Sequence, residues 1–186
     1  EWCLRTACRQ TKQWQNEGYP NLKVSVNLSG RQFAQDNLVE MVQDILHETG
    51  FDPHHLELEL TESILIQHEE KIIKKLNALK DMGILISMDD FGTGYSSLSY
   101  LKKFPIGELK IDRSFIKDVT KNPDDAALVD AILSMARSLK LKTVAEGVET
   151  LEQLMFLVEH KCEVIQGYYF SRPLPPESFV ALLAAE

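Results

Sequence analysis

Cysteine is scarce: Cys3, Cys8 and Cys162 are the three present, an odd number without the paired spacing of a metal site. This excludes a disulfide framework as the organising device and points to reduced thiols in a cytoplasmic setting. Long apolar runs are also missing, none approaching the roughly 20 residues that a membrane-crossing helix needs. The opening Glu1-Trp2-Cys3 resembles neither a signal peptide nor a translation start, so the chain reads as beginning inside a larger protein, a cytoplasmic domain compatible with a membrane-anchored parent. Basic charge is outnumbered, 20 Lys and Arg against 28 Asp and Glu, for a formal net charge of −8. Such a balance argues against a nucleic-acid polymer as partner, because backbone binding relies on Lys and Arg neutralising phosphates. A small phosphate ligand held through metal ions remains compatible with it. There is no internal repeat, low-complexity tract or Pro/Gly/Ser-rich linker.

What is present fits one globular domain: 186 residues, of which 44% are hydrophobic, are enough to bury a sizeable core. Short apolar or alternating runs predict strands over Val24–Leu28, Leu56–Leu60, Ile84–Met88, Leu109–Ile111, Thr143–Ala145 and Val164–Ile165, with helical periodicity between them. Asn122 before Pro123 reads as a helix cap, Thr150 with Gln153 as a capping box, and Gly50 and Gly83 as helix stops. Alternation at about the length of a βαβ unit, roughly 30 residues, predicts a parallel sheet in an α/β fold, either open or closed. In a (β/α)8 barrel, inward polar groups near strand C-termini line the site-bearing mouth. Asn27, Glu59, Asp89, Lys110 and Glu146 all fall at or near predicted strand ends.

Several segments carry chemistry. Asn27, in Val24-Ser25-Val26-Asn27-Leu28-Ser29, offers a neutral oxygen to a hard cation, or else caps a turn or helix. Glu57-Leu58-Glu59-Leu60-Thr61-Glu62 places Glu57, Glu59 and Thr61 opposite the leucines, as inward donors or as a solvated face. Asp89 and Asp90 precede the glycine-rich run Phe91-Gly92-Thr93-Gly94-Tyr95. Adjacent carboxylates repel, and a divalent cation is the economical neutraliser; the alternative is a helix cap beside a solvent-facing Asp. The loop lacks the Lys-Ser/Thr ending of a P-loop and reads better as a flap over a metal site. Lys110 and Asp112 stand two apart and are expected on one strand face, as site groups or a structural ion pair. Glu146 and Glu149 flank the next strand end, where Glu149 could instead serve the following helix. Gln166, Tyr168, Arg172 and Pro173 belong to a segment that offers an amide, an aromatic surface for a base and an Arg for phosphate, or simply packed aromatics. Glu69-Glu70-Lys71-Ile72-Ile73-Lys74-Lys75 reads as a solvated helix face, and His47, His54, His55, His68 and His160 lack ligand spacing.

Taken in order, VNLS, ELTES, DDFGTGYSSL, LKIDRSF, AEGVE and QGYYFSRP resemble the EAL-domain family of cyclic di-GMP phosphodiesterases. The resemblance implies a TIM-like (β/α)8 barrel, here with about six of the eight βα units, spanning residues 1–186 as an N-terminally truncated EAL-type domain. It implies Mg²⁺ or Mn²⁺ in a two-metal site and hydrolysis of cyclic di-GMP to linear pGpG. On that resemblance Asn27, Glu59 and Asp89 match metal ligands, with Asp89 and Asp90 serving a second metal and Asp112 a metal-side carboxylate. Glu62 matches the residue that steadies the loop from Phe91 through Gly92, Thr93, Gly94 and Tyr95, linking metal site and dimer interface. Lys110 matches a residue contacting the attacking water, Glu146 a metal-site glutamate or general base, and Glu149 and Gln166 supporting residues. A homodimer and fused sensory or GGDEF-type domains are the implied partners. The Glu-Ala-Leu tripeptide that names the family does not occur in these 186 residues. It is expected upstream, so that the parent domain is expected to be active and this stretch alone is not. A catalytically silent cyclic di-GMP receptor and a pure protein-interaction module are the competing expectations.

Overall fold

The computed structural model describes residues 1–62, 64, 69–92 and 98–184. They form two compact units, Glu1–Lys110 with Leu139–Leu141, and Ile111–Ser138 with Lys142–Glu186.

The first unit runs α1 (Trp2–Asn16), β1 (Val24–Leu28), α2 (Gly30–Phe33), α3 (Leu38–Thr49), a 3-10 turn (Pro53–His55), β2 (Leu56–Thr61), α4 (Glu69–Asp81), β3 (Leu85–Phe91), α5 (Leu98–Lys103) and β4 (Glu108–Ile111). Its strands follow chain order, β1-β2-β3-β4. β1 and β2 pair in parallel with Val24 beside Leu56, as do β2 and β3 with Glu57 beside Leu85. The predicted helix stop at Gly50 holds, with the glycine in the left-handed region at φ 63°. Asp52 caps the 3-10 turn by accepting from the His54 backbone N–H. Leu38, Val42 and Ile45 of α3, Leu76 and Leu79 of α4, Leu58 and Leu60 of β2, and Ile86 and Met88 of β3 are buried. Fully burying one such side chain contributes about 1.5–3 kcal/mol. β2 is covered on both faces, as strands of a parallel sheet are, so its glutamates are inside as well.

The second unit contains α6 (Arg113–Lys117), α7 (Pro123–Leu139), β5 (Lys142–Ala145), α8 (Leu151–Glu159), β6 (Val164–Ile165) and α9 (Pro176–Leu183). β5 and β6 are parallel, Val144 beside Val164. Val129, Ile132, Leu133 and Ala136 of α7, Val144 and Ala145 of β5, and Leu157 of α8 are buried. Asn122 caps α7 by accepting from the Asp124 N–H, and Thr150 with Gln153 forms the predicted capping box on α8. All six predicted strands are present and the α/β class is borne out. No helix among the described residues is long and apolar enough to cross a membrane. Cys3, Cys8 and Cys162 are free thiols.

Candidate functional site

In the first unit the parallel register builds a polar row from the inward face of three strands. Asn27 lies beside Glu59 on one side, Ser87 beside Glu59 on the other, and Asp89 beside Thr61 one step further on. Lys110, on β4, reaches this row: its Nζ donates to Glu59 Oε1 at 2.7 Å and stands 3.6 Å from Asp89 Oδ1. Glu59 is 6% exposed and Lys110 4%. An ion pair this deep is attractive but costly to break, because the survivor is left as an uncompensated buried charge.

Asp89 is oriented by its neighbour. Asp90 adopts φ 56°, a left-handed conformation that Asp tolerates better than most residues, and its N–H donates to Asp89 Oδ1 at 3.0 Å. The solvated-face reading of Glu57 and Glu59 fails, since both are buried. Ser25 Oγ donates to Glu57 Oε2 at 2.9 Å, while Glu57 Oε1, Ser87 Oγ and both carboxylate oxygens of Glu62 are buried without a hydrogen-bond partner among the described residues. Asn27 is exposed and is not the cap of α2; Ser29 takes that role in a capping box with Gln32. Phe91 is buried at the end of β3 and Gly92 follows at φ 97°. Thr93, Gly94 and Tyr95 lie outside the described residues.

The donors gathered here are carboxylate and amide oxygens, with orphaned buried oxygens at Glu57, Glu62 and Ser87. That donor set fits a hard divalent cation such as Mg²⁺ or Mn²⁺. Among the described residues no three His, Cys, Asp or Glu side chains are already drawn around one point, and Lys110 stands as the counter-charge to Glu59.

In the second unit backbone does most of the positioning. The Glu146 N–H donates to the Ile111 carbonyl at 3.1 Å, Gln166 N–H to Ala145 at 2.9 Å, Val148 N–H to Gln166 at 3.1 Å and Tyr169 N–H to Val148 at 2.9 Å. Two glycines permit this closeness. Gly147 sits at φ 74°, where an added Cβ would lie 2.5 Å from Arg113 Cβ; at Gly167 it would lie 2.1 Å from the Val148 carbonyl oxygen. A cavity of about 610 Å³ follows, lined among others by Glu146, Glu149, Gln166 and Tyr168 on one hand and Arg113 and Lys117 on the other. The Arg172 guanidinium lies 4.6 Å from the Tyr168 ring centroid, a cation–π contact that leaves Tyr168 47% exposed. Pro173 lies in the coil beyond β6. Glu152, in the first turn of α8, has its carboxyl held below the usual value by its own backbone N–H, then by the Thr150 side chain, with Lys121 adding charge attraction.

One sequence expectation needs correction. Lys110 and Asp112 do not share a strand face: β4 ends at Ile111, and Asp112 is the N-cap of α6, accepting from the Ser114 N–H at 2.9 Å. The position is set by helix geometry, which takes a short carboxylate at a cap. Sequence reading missed Ser87, Arg113 and Lys117 as neighbours of these groups. It also took Gln153 only as a cap, although its amide makes further bonds.

Residues 1–173 match the EAL domain family, and the chain belongs to it. It is 47% identical over 184 residues to MucR of Pseudomonas aeruginosa, described as a bifunctional diguanylate cyclase/cyclic di-GMP phosphodiesterase, covering 99% of this chain and 27% of MucR. The structure of the MucR phosphodiesterase in complex with cyclic di-GMP superposes with a TM-score of 0.92, covering 96% of this chain and 72% of that one. The EAL domain of Mycobacterium smegmatis DcpA gives 0.94 at 39% identity, covering 99% and 83%. Klebsiella pneumoniae BlrP1, solved with manganese and cyclic di-GMP, gives 0.79 at 30% identity, covering 88% and 42%. The fold is that of EAL domains. The chain spans between 22% and 27% of the length of curated relatives that it matches, MucR among them.

Proposed function

We propose that this chain is part of a cyclic di-GMP phosphodiesterase domain that hydrolyses its substrate to linear pGpG with Mg²⁺ or Mn²⁺. The observation that carries the proposal is the row of Asn27, Glu59 and Asp89 on adjacent strands, with the buried Glu59–Lys110 pair at its centre. A silent receptor has no need to bury a carboxylate against a lysine with a second carboxylate beside them, at the cost such burial carries.

Asn27, Glu59, Asp89 and Asp90 are the oxygen donors of the first unit. Asp112 and Glu146 are assigned the same work on the resemblance of their motifs. When bound, two divalent cations lower the pKa of a water and stabilise charge on phosphoryl oxygens during in-line displacement. Lys110 donates to the carboxylate beside it and is the protein's own cation for aligning the attacking water. Glu62, buried with neither oxygen hydrogen-bonded among the described residues, is the support for the loop beginning at Phe91. Glu149 and Gln166 line the cavity and contribute an anion and an amide for placing the substrate; Tyr168 with Arg172 offers a face for a guanine and a charge for phosphate. A homodimer and fused sensory or GGDEF-type domains complete the proposal.

The test is chromatography for pGpG after incubating the full-length protein with cyclic di-GMP and Mn²⁺, beside Glu59→Ala and Asp89→Ala. Turnover is expected to fall about a hundred- to a thousandfold in either variant, the scale on which removal of a principal charge-stabilising group acts. Unchanged turnover in both would remove the metal assignment. Binding without turnover by the unsubstituted protein would move the reading to a receptor.

A further inference from the structure

Gln153 is buried in the second unit, 6% exposed, and every hydrogen-bonding position of its amide is used. Its Oε1 accepts from the Glu149 N–H at 2.8 Å and from the Thr150 N–H at 3.0 Å. Its Nε2 donates to the carbonyl of Ile116 at 3.2 Å and of Lys117 at 3.0 Å. Backbone N–H groups can only donate and carbonyls only accept, so the amide has one orientation here.

A capping box needs only the first half of this arrangement. The N3 residue reaches back to the N-cap N–H, and Glu serves there as well as Gln. The chain contains a second box for comparison. Gln32 closes α2 by accepting from the Ser29 N–H and Oγ, on a partly exposed helix, and its NH₂ group makes no hydrogen bond to another element among the described residues. Gln153 differs by spanning two elements. It joins the turn that carries Glu146 and Glu149 to the last residues of α6, the helix that Asp112 caps. Glutamate in its place would set an anion against two carbonyl oxygens.

We infer that Gln153 is a positioning residue: it fixes the turn Glu146–Thr150 by tying it to the C-terminal end of α6, and so sets where Glu146 and Glu149 present their carboxylates. The consequence for turnover rests on the phosphodiesterase reading; the tie itself does not.

Gln153→Glu separates the two roles, since it keeps the acceptor of the cap and loses both donors. Hydrogen exchange by mass spectrometry on the full-length protein is the primary readout. Peptides covering Glu146–Thr150 are expected to exchange at least about tenfold faster, with α8 still protected, because a buried carbonyl deprived of its donor costs on the order of 1–3 kcal/mol locally. With Mn²⁺ and cyclic di-GMP, kcat is expected to fall about tenfold or more while KM stays within about threefold, the signature of misplaced groups rather than lost substrate contacts. Gln32→Glu is expected to leave both readouts unchanged. Gln153→Met, uncharged and of similar length, serves if the glutamate variant does not fold. It loses the cap as well, so its test is a rise in the peptide covering Ile116 and Lys117 beside that in Glu146–Thr150, which loss of the cap alone would not produce. Unchanged exchange in the Glu146–Thr150 segment, or a rise spread evenly over the second unit, overturns the inference. If the unsubstituted protein shows no hydrolysis, the proposed function falls and the exchange result still decides the role of Gln153.

Discussion

The two units hold their candidate groups in different ways. In the first, charged side chains position one another: Glu59 is held by Lys110, which also lies near Asp89, and Asp89 is turned by the backbone of Asp90. In the second, Glu146 and Glu149 sit on a turn fixed by backbone bonds to Ile111 and Gln166, by the close approach of Gly147 to Arg113, and by the amide of Gln153. A substitution in the first unit therefore acts through charge, and a compensating charge change can repair it. A substitution in the second acts through space, and only restored shape can repair it.

Lys110→Met is the sharpest way to break this contrast. It leaves Glu59 buried without its counter-charge, which is expected to cost about 3–5 kcal/mol in urea unfolding. Adding Glu59→Gln should recover most of that loss, since the buried charge disappears with its partner. A double variant as unstable as Lys110→Met would show that packing of the lysine stem, not charge, holds the row. Gly147→Ala probes the other side. Its φ of 74° and the 2.5 Å approach to Arg113 predict a loss of about 1–3 kcal/mol, with no rescue by any charge change. Gly50→Ala, also at positive φ but with nothing within 4 Å of the added methyl, should cost about 1 kcal/mol or less. Equal losses at the two glycines would mean that crowding against Arg113 contributes nothing.

The same contrast explains what could be read from residues alone. Strand positions follow from local apolar pattern, so β1 and β6 fall where that pattern puts them, and Asn27, Glu59, Asp89 and Lys110 follow because they occupy the ends of those runs. β3 begins at Leu85 and continues through Asp89 and Asp90 to Phe91, where the apolar run alone predicted Ile84–Met88. The row of neighbouring strands gives those aspartates a place that their own sequence does not announce. Burial of Glu57 and Glu59 was left open for a similar reason: alternation says that they face together, and only the covering of both faces of β2 says that the face is inside. Asp112 went astray because strand and cap are one residue apart and period-two reasoning carries no stop signal. Gln153 was legible as a cap from Thr150 three residues before it. Its donation to Ile116 and Lys117 was not, because which carbonyls lack a donor depends on how distant segments approach.

The smallest expected effect tests packing away from either set of groups, through the thiols. Cys8, on α1 in the first unit, is fully buried, and burial pushes its thiol up to about 11. Cys162, in the second, is only partly buried and is also raised, by burial first, with hydrogen bonding to Thr143 opposing it. Thiolate is the reactive form, so alkylation follows exposure and pKa together. Iodoacetamide at pH 8 is expected to label exposed Cys3 first, Cys162 more slowly, and Cys8 only on unfolding. The folded state favours the protonated form of Cys8, so its contribution to stability is fully present below the ordinary thiol pKa of 9.0 and is lost as pH rises toward about 11. Unfolding free energy should accordingly decline between pH 9 and 11 in the parent, and decline less in Cys8→Ala, whose lower starting stability reflects the cavity left behind. Labelling of Cys8 at a rate matching that of Cys3 would place α1 loosely against its neighbours and undo the packing on which β1, and with it Asn27, depends.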